Sequence, residues 1–250
     1  MKKVLLINGS PRKKNTYTML KQIEEILTAQ GFGTEILNLY DYEIKDCGGC
    51  EKCIYDGGGC WRDIDDGMAE IRQKVLAADG LVLASPVYMR GVTSKFKAFA
   101  DRTCAWFHCP ETAGKAVMSA AVTASTGLGA TGDFLKDFAV GFGARTGEYV
   151  SRKEDKMTPV REKEIRTFIS LLKNDKSQYK PTPEQLIIFR VQQCLALRSG
   201  KADKVYWAEK GWLGKTRYYY PCRISPSKKL LSAMLRKILR KALKVPKNEN

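Results

Sequence analysis

A short strand, a turn and a helical stretch recur five times over the first 176 residues, and that alternation admits very few folds. Val4-Leu5-Leu6-Ile7 is a continuous apolar run stopped by Asn8-Gly9-Ser10-Pro11, the mark of a strand buried on both faces. Thr16 to Ala29 then puts Met19, Leu20, Ile23, Ile26 and Leu27 on one helical face, and Gly31 closes it. Thr34 to Leu39 alternates as a strand does, and Asp65-Asp66 can cap a helix carrying Met68, Ile71, Val75 and Leu76. Gly80 to Ala84 is again a buried strand, stopped by Ser85-Pro86. A helix over about 94–104, a strand Lys115 to Thr123, a helix near 132–142, a strand near 145–150 and a last helix over about 159–173 follow. The series predicts a doubly wound α/β domain, a parallel sheet covered on both faces with right-handed crossovers.

Composition agrees. With 44% hydrophobic and 28% charged residues the chain can bury a core, which excludes disorder and fibrous repeats. No apolar stretch approaches the roughly 20 residues that span a bilayer. The four apolar residues after Met1-Lys2-Lys3 are too few for a signal-peptide core, so a cytoplasmic protein is expected. One histidine, His108, excludes a His-rich zinc site. The net charge of +16 is unevenly placed: residues 1–176 carry 26 Lys and Arg against 23 Asp and Glu, residues 177–250 carry 17 against 4. A domain over 1–176 and a basic, mainly helical C-terminal extension over 177–250 are expected.

The first turn, Ser10-Pro11-Arg12-Lys13-Lys14-Asn15-Thr16, lies at the carboxyl edge of the predicted sheet, where ligands of such folds bind. A helix N-terminus offers unpaired N–H groups to a phosphate; Ser10 and Thr16 add hydroxyls, Asn15 an amide and Arg12 a charge. The alternative is an ordinary turn with Asn15 or Thr16 as helix cap. The turn is neither a Walker A sequence nor a G-x-G-x-x-G. Asn8-Gly9-Ser10-Pro11-Arg12 followed by Asn15-Thr16 resembles the flavin-phosphate loop of flavodoxin-like NAD(P)H-dependent FMN reductases. Ser85-Pro86-Val87-Tyr88-Met89 followed by Ser94-Lys95-Phe96-Lys97-Ala98-Phe99-Ala100-Asp101-Arg102 is similar to that family's second signature. The resemblance covers about residues 1–175. It implies a five-stranded flavodoxin-like sheet in order 2-1-3-4-5 and a bound FMN, with Pro86, Val87, Tyr88 and Met89 running along the flavin ring. It also implies that the loop Ser125, Thr126, Gly127 lies beside the isoalloxazine, where glycine lets the backbone approach closely. Gly127-Leu128-Gly129-Ala130-Thr131-Gly132 does match G-x-G-x-x-G, but after the fourth strand, with Glu148 as the candidate ribose ligand; dinucleotide binding there is the lesser reading.

Cys47-x2-Cys50-x2-Cys53-x6-Cys60, with Gly48, Gly49, Gly57, Gly58 and Gly59 between, is too compact for the paired C-x2-C of a zinc ribbon. It is closer to ferredoxin spacing, and glycine suits a backbone folded around a cluster. The pattern resembles the iron–sulfur flavoproteins, a subfamily of these reductases, which implies a [4Fe–4S] cluster on Cys47, Cys50, Cys53 and Cys60. Related reductases without a cluster keep much of the motif, so a loop of reduced thiols is the alternative. Cys104 and Cys109 flank His108 without a fourth ligand and are expected in a loop as core cysteines.

On this reading the flavin carries the chemistry, and no acid, base or nucleophile is assigned. A ferredoxin would suit a cluster as electron donor; without one, NAD(P)H would donate hydride directly. The acceptor is a small molecule, and the resemblance implies a homo-oligomer. A non-enzymatic electron carrier like flavodoxin is the weaker alternative, since flavodoxins are usually acidic and lack the cysteine loop. In the extension, two helical stretches flank an aromatic-rich middle with Tyr206, Trp207, Trp212, Tyr218, Tyr219 and Tyr220. Leu231, Met234, Leu235, Ile238 and Ala242 share one face of the last helix, with Arg236, Lys237, Arg240, Lys241 and Lys244 on much of the rest. The expectation is that this face packs on the protein or a partner subunit; contact with a membrane surface ranks second and nucleic acid last.

Overall fold

The computed structural model describes residues 1–57, 59–198 and 201–245. Gly58 of the cysteine loop, and Ser199, Gly200 and residues 246–250 of the extension, lie outside the described residues. Strands β1 (Lys3–Asn8), β2 (Gly33–Asn38), β3 (Gly80–Pro86), β4 (Ala116–Thr123) and β5 (Arg145–Lys153) form one parallel sheet in the order β2-β1-β3-β4-β5. The expected architecture is present.

The apolar runs are strands because both faces are covered. Leu5, Ile7, Leu81, Leu83 and Val117 point to one side, against α3 (Met68–Ala77), α4 (Ser94–Arg102) and α6 (Leu128–Gly141). Val4, Leu6, Val82, Met118 and Ala120 alternate to the other, against α1 (Asn15–Ala29) and α7 (Arg166–Lys173). Every residue of β4 is buried, and all of β3 but Pro86. Two short helices, α2 (Lys52–Tyr55) in the cysteine loop and α5 (Ala105–His108) after α4, were expected as loop.

α7 starts later than the pattern suggested. Pro159 to Arg161 run extended, with Val160 N–H donating to Gln22 Oε1 at 3.0 Å, and a 3-10 turn Glu162–Ile165 precedes the helix.

The extension has three helices, one more than the sequence suggested: α8 (Pro183–Arg198) and α9 (Lys201–Glu209) pack on the α/β domain, and α10 (Pro226–Ala242) packs on α8. The side chain of Gln185 donates to Ala144 O at 2.9 Å and that of Gln192 to Gly141 O at 2.6 Å, tying α8 to the end of α6 and the start of β5. Phe189, Trp207, Trp212, Tyr218 and Tyr219 form a buried aromatic core, with Phe189 and Tyr219 edge-to-face at 4.9 Å. The indole N–H of Trp207 reaches His108 O at 2.7 Å.

The expected face of α10 is corrected. Ser232, Leu239 and Leu243 meet α8, while Leu231, Met234 and Ile238 are exposed and Leu235 is half-buried. Two apolar arcs adjoin on this helix, and periodicity alone does not choose between them. The choice falls to buried Arg190 of α8, whose Nε donates to Ser232 Oγ at 2.8 Å.

Candidate functional site

The turn between β1 and α1 is shaped by its own side chains. Asn8 Oδ1 accepts from Ser10 N–H at 3.1 Å; Ser10 Oγ donates to Arg12 O at 2.8 Å and accepts from Arg12 N–H at 3.2 Å. Gly9 passes so close to β3 and α4 that a Cβ would lie 2.8 Å from the Phe96 ring and 3.0 Å from Ala84 O. Lys14 is the N-cap residue of α1, with no side-chain cap, so the reading of Asn15 or Thr16 as cap is set aside and the first N–H groups face the turn without one. Asn15 instead sends its amide to Glu154 Oε1 at 3.0 Å.

A pocket opens at this carboxyl edge. Ser10, Arg12, Asn15 and Thr16 line one side, and Pro86, Val87 and Tyr88 another. The sequence did not single out Lys14, Val122, Thr123, Ala124 or Glu154, which complete the wall. Thr123 and Glu154 follow from topology, since they stand at the carboxyl ends of β4 and β5.

Met89, Ser125, Thr126 and Gly127 do not line the pocket but stand beside it. Tyr88 and Gly91 exchange backbone hydrogen bonds of 2.9 Å across a tight turn whose central residues, Met89 and Arg90, have φ of 48° and 63°. Turns with two positive φ values usually carry Asn-Gly, so Met-Arg holds strain of about 1–3 kcal/mol per residue, as is common at binding sites. The Met89 side chain is fully exposed. Thr123 Oγ1 folds the next loop, donating to Thr126 O at 2.7 Å and accepting from Ser125 N–H at 3.2 Å. Gly127, at φ 92°, abuts the turn, and a Cβ there would sit 2.8 Å from Val87 Cγ1 and 3.0 Å from Arg90 Cα. Glu148, the candidate ribose ligand, accepts the N–H groups of Thr167 and Phe168 at the start of α7, which removes it from a dinucleotide role.

The cysteine loop is held by a residue to which the sequence assigned no role. Arg102, at the end of α4 and fully buried, donates to Lys45 O at 2.9 Å on one side of the loop. On the other side it pairs with Asp63 at 2.8 Å and with Asp66. Arg72 binds Asp63 Oδ2 at 2.8 Å and Arg102 O at 2.9 Å. Burial pushes the Asp66 carboxyl up, but the Arg102 guanidinium and the N–H groups of Lys45 and Met68 outweigh it and hold the pKa below the ordinary value. Asp66, expected as a helix cap, accepts the Met68 N–H at 3.0 Å and serves the Arg102 clamp as well.

Within the loop, Gly49, Gly57 and Gly59 have φ of 62°, 74° and 97°, and Glu51 also turns left-handed. Cys47 and Cys50 are exposed, Cys53 and Cys60 half-buried. Cys50 Sγ accepts from the Lys52 N–H and the Trp61 indole, which lower its pKa. N–H groups aimed at a cysteine sulfur favour the thiolate that iron needs. Cys104, expected in the core, stands 3.7 Å from Cys53 Sγ, its thiol pushed up to about 12 by burial first and by the neighbouring thiols second. Cys109 lies beside Asp203. Among the described residues no three His, Cys, Asp or Glu side chains converge as metal ligands, while four thiols, with N–H donors on Cys50, match a cluster in chemistry.

A parallel sheet of this order, with a turn and a flanking pocket at its carboxyl edge, defines a flavodoxin-like α/β fold. The sequence profile of the NADPH-dependent FMN reductase family matches residues 2–152, and the chain belongs to that family. An iron–sulfur flavoprotein of Archaeoglobus fulgidus is 32% identical over 227 residues, 84% of this chain and 100% of the relative. One from Methanocaldococcus jannaschii is 38% identical over 102 residues, 40% of this chain and 51% of the relative, so that match spans about half of it. Among solved structures, an NADH:FMN oxidoreductase superposes with a TM-score of 0.50 over 69% of this chain and 87% of its own, at 18% identity. An NAD(P)H:quinone oxidoreductase from Methanothermobacter marburgensis gives 0.50 over 68% and 95%, at 16% identity. Those two likenesses speak to the fold. The family profile and the full-length Archaeoglobus relative make the chain a flavin-dependent oxidoreductase of the iron–sulfur flavoprotein branch.

Proposed function

We propose that the chain binds FMN in the pocket between the first turn and Pro86 to Tyr88, and a [4Fe–4S] cluster on Cys47, Cys50, Cys53 and Cys60. The observation that carries the flavin assignment is the convergence on one pocket of the α1 N-terminus, Arg12, Lys14 and the end of β3. The N–H groups of the uncapped helix, with Arg12 and Lys14, would hold the phosphate. Thr16 adds a hydroxyl, and Ser10 acts by folding the turn. Tyr88, Met89 and the loop Ser125, Thr126, Gly127 would border the ring through backbone groups, with Gly127 permitting their approach.

Bound FMN supplies hydride or single-electron transfer, and a cluster supplies one-electron transfer. The protein positions and shields; none of its side chains is assigned as acid or base. The electron donor is proposed to be a redox protein such as a ferredoxin, with NAD(P)H as the hydride donor in a cluster-free form, and the acceptor a small molecule. A homo-oligomer fits the exposed apolar side chains around the cysteine loop and the turn, Tyr55, Ile64 and Met89.

Iron and acid-labile sulfide in anaerobically purified protein test the cluster. About four irons per chain are expected, lost on serine substitution of any of the four cysteines while FMN stays bound. Full FMN occupancy without iron favours the second reading, a cluster-free NAD(P)H-dependent FMN or quinone reductase, which the unconverged thiols support.

A further inference from the structure

Helix α10 presents an apolar arc that nothing among the described residues covers. Leu230, Met234 and Ile238, spaced four apart, are 64%, 54% and 58% exposed, and Leu231 beside them 37%. The opposite face is fixed to α8 by Ser232, Leu239 and Leu243, so the helix cannot roll to hide the arc. Lys237 and Lys241 lie on the same side of the helix as the arc and Lys244 follows its end, all exposed, and residues 226–245 contain no acidic side chain. Such a helix needs an occupant that is apolar at its centre and anionic at its rim.

Two occupants fit poorly. A second copy meeting the same arc across a two-fold axis would bring the lysines of two basic extensions together. Nucleic acid has no use for an aliphatic arc, and Trp207, Trp212, Tyr218 and Tyr219, which could have stacked on bases, are buried in the extension's own core.

We propose that α10 docks the chain on an anionic lipid bilayer, with Leu230, Leu231, Met234 and Ile238 at the acyl boundary and Lys237, Lys241 and Lys244 against the headgroups. Among the described residues no helix is long and apolar enough to cross a membrane, so α10 lies along the surface. The proposal is independent of the flavin and cluster assignments.

Flotation of the full chain with vesicles tests it. Phosphatidylcholine alone is compared with phosphatidylcholine containing about 30 mol% phosphatidylglycerol, in about 0.15 M salt. The chain should float with the anionic vesicles and much less with the neutral ones. Leu231→Gln/Met234→Gln/Ile238→Gln, all at exposed sites, should lower partitioning roughly hundredfold. Lys237→Gln/Lys241→Gln should lower it roughly thirtyfold. FMN content and far-ultraviolet circular dichroism should stay unchanged in both. Absence of flotation, or flotation that neither variant weakens, overturns the proposal. So does a dimer that the triple variant dissociates without vesicle binding, or duplex DNA binding without flotation.

Discussion

Thr93 shows how one side chain can join the two halves of a binding edge. Fully buried, it donates to Gly9 O at 2.7 Å and accepts from Phe96 N–H at 3.3 Å, so the N-cap of α4 holds the first turn. Thr93→Val removes both bonds while keeping the shape; it should cost about 1–3 kcal/mol in urea unfolding. Arg12→Ala removes a cation from the proposed phosphate site and should weaken FMN roughly tenfold to hundredfold in a fluorescence titration. Asp66→Asn weakens the Arg102 clamp and should cost about 1.5–3 kcal/mol at neutral pH. The Asp66 pKa is depressed in the folded chain, so its contribution is present above the ordinary value of 3.8 and lost as pH falls through the folded value. The stability gap between Asp66→Asn and the parent chain should therefore close below that pH. Ser10, Arg12, Asn15 and Thr16 were legible in the sequence because a turn after a buried strand has a fixed place in this fold. Thr93 was not, because its partners are 84 residues away and in the next turn.

At the scale of elements, Gly127 links the two segments proposed to border the flavin ring. Gly127→Ala meets both a left-handed φ of 92° and the Arg90 backbone at 3.0 Å, so the turn at Met89 must move. FMN affinity should fall roughly tenfold with the melting temperature little changed, because both segments are at the surface. An unchanged affinity would place the flavin ring elsewhere. The third glycine of the same motif, Gly132, also has a packing reason: a Cβ would lie 2.6 Å from the Tyr149 ring. The sequence showed the glycines but not their neighbours, and the motif resembled a dinucleotide site for that reason. The cysteine loop has the same history. Its spacing was visible, whereas Arg102 and Cys104 reach it from the far end of α4, at a distance that no local pattern encodes.

Across the whole molecule, the sheet order followed from five alternating segments, and the seating of the extension did not. Four polar residues of α8, Gln185, Arg190, Gln192 and Gln193, are buried and hydrogen-bonded. A pattern method that sorts residues by polarity reverses that face. Removal of residues from Pro226 onward should uncover Cys194 and Leu197 and lower solubility, with FMN retained because its pocket is built from the α/β domain. A flavin site in this domain is tested by the amount of FMN released when the purified chain is denatured. The account predicts about one FMN per chain, in the protein as purified or after incubation with FMN and desalting. A colourless chain that takes up no FMN in either case would contradict it.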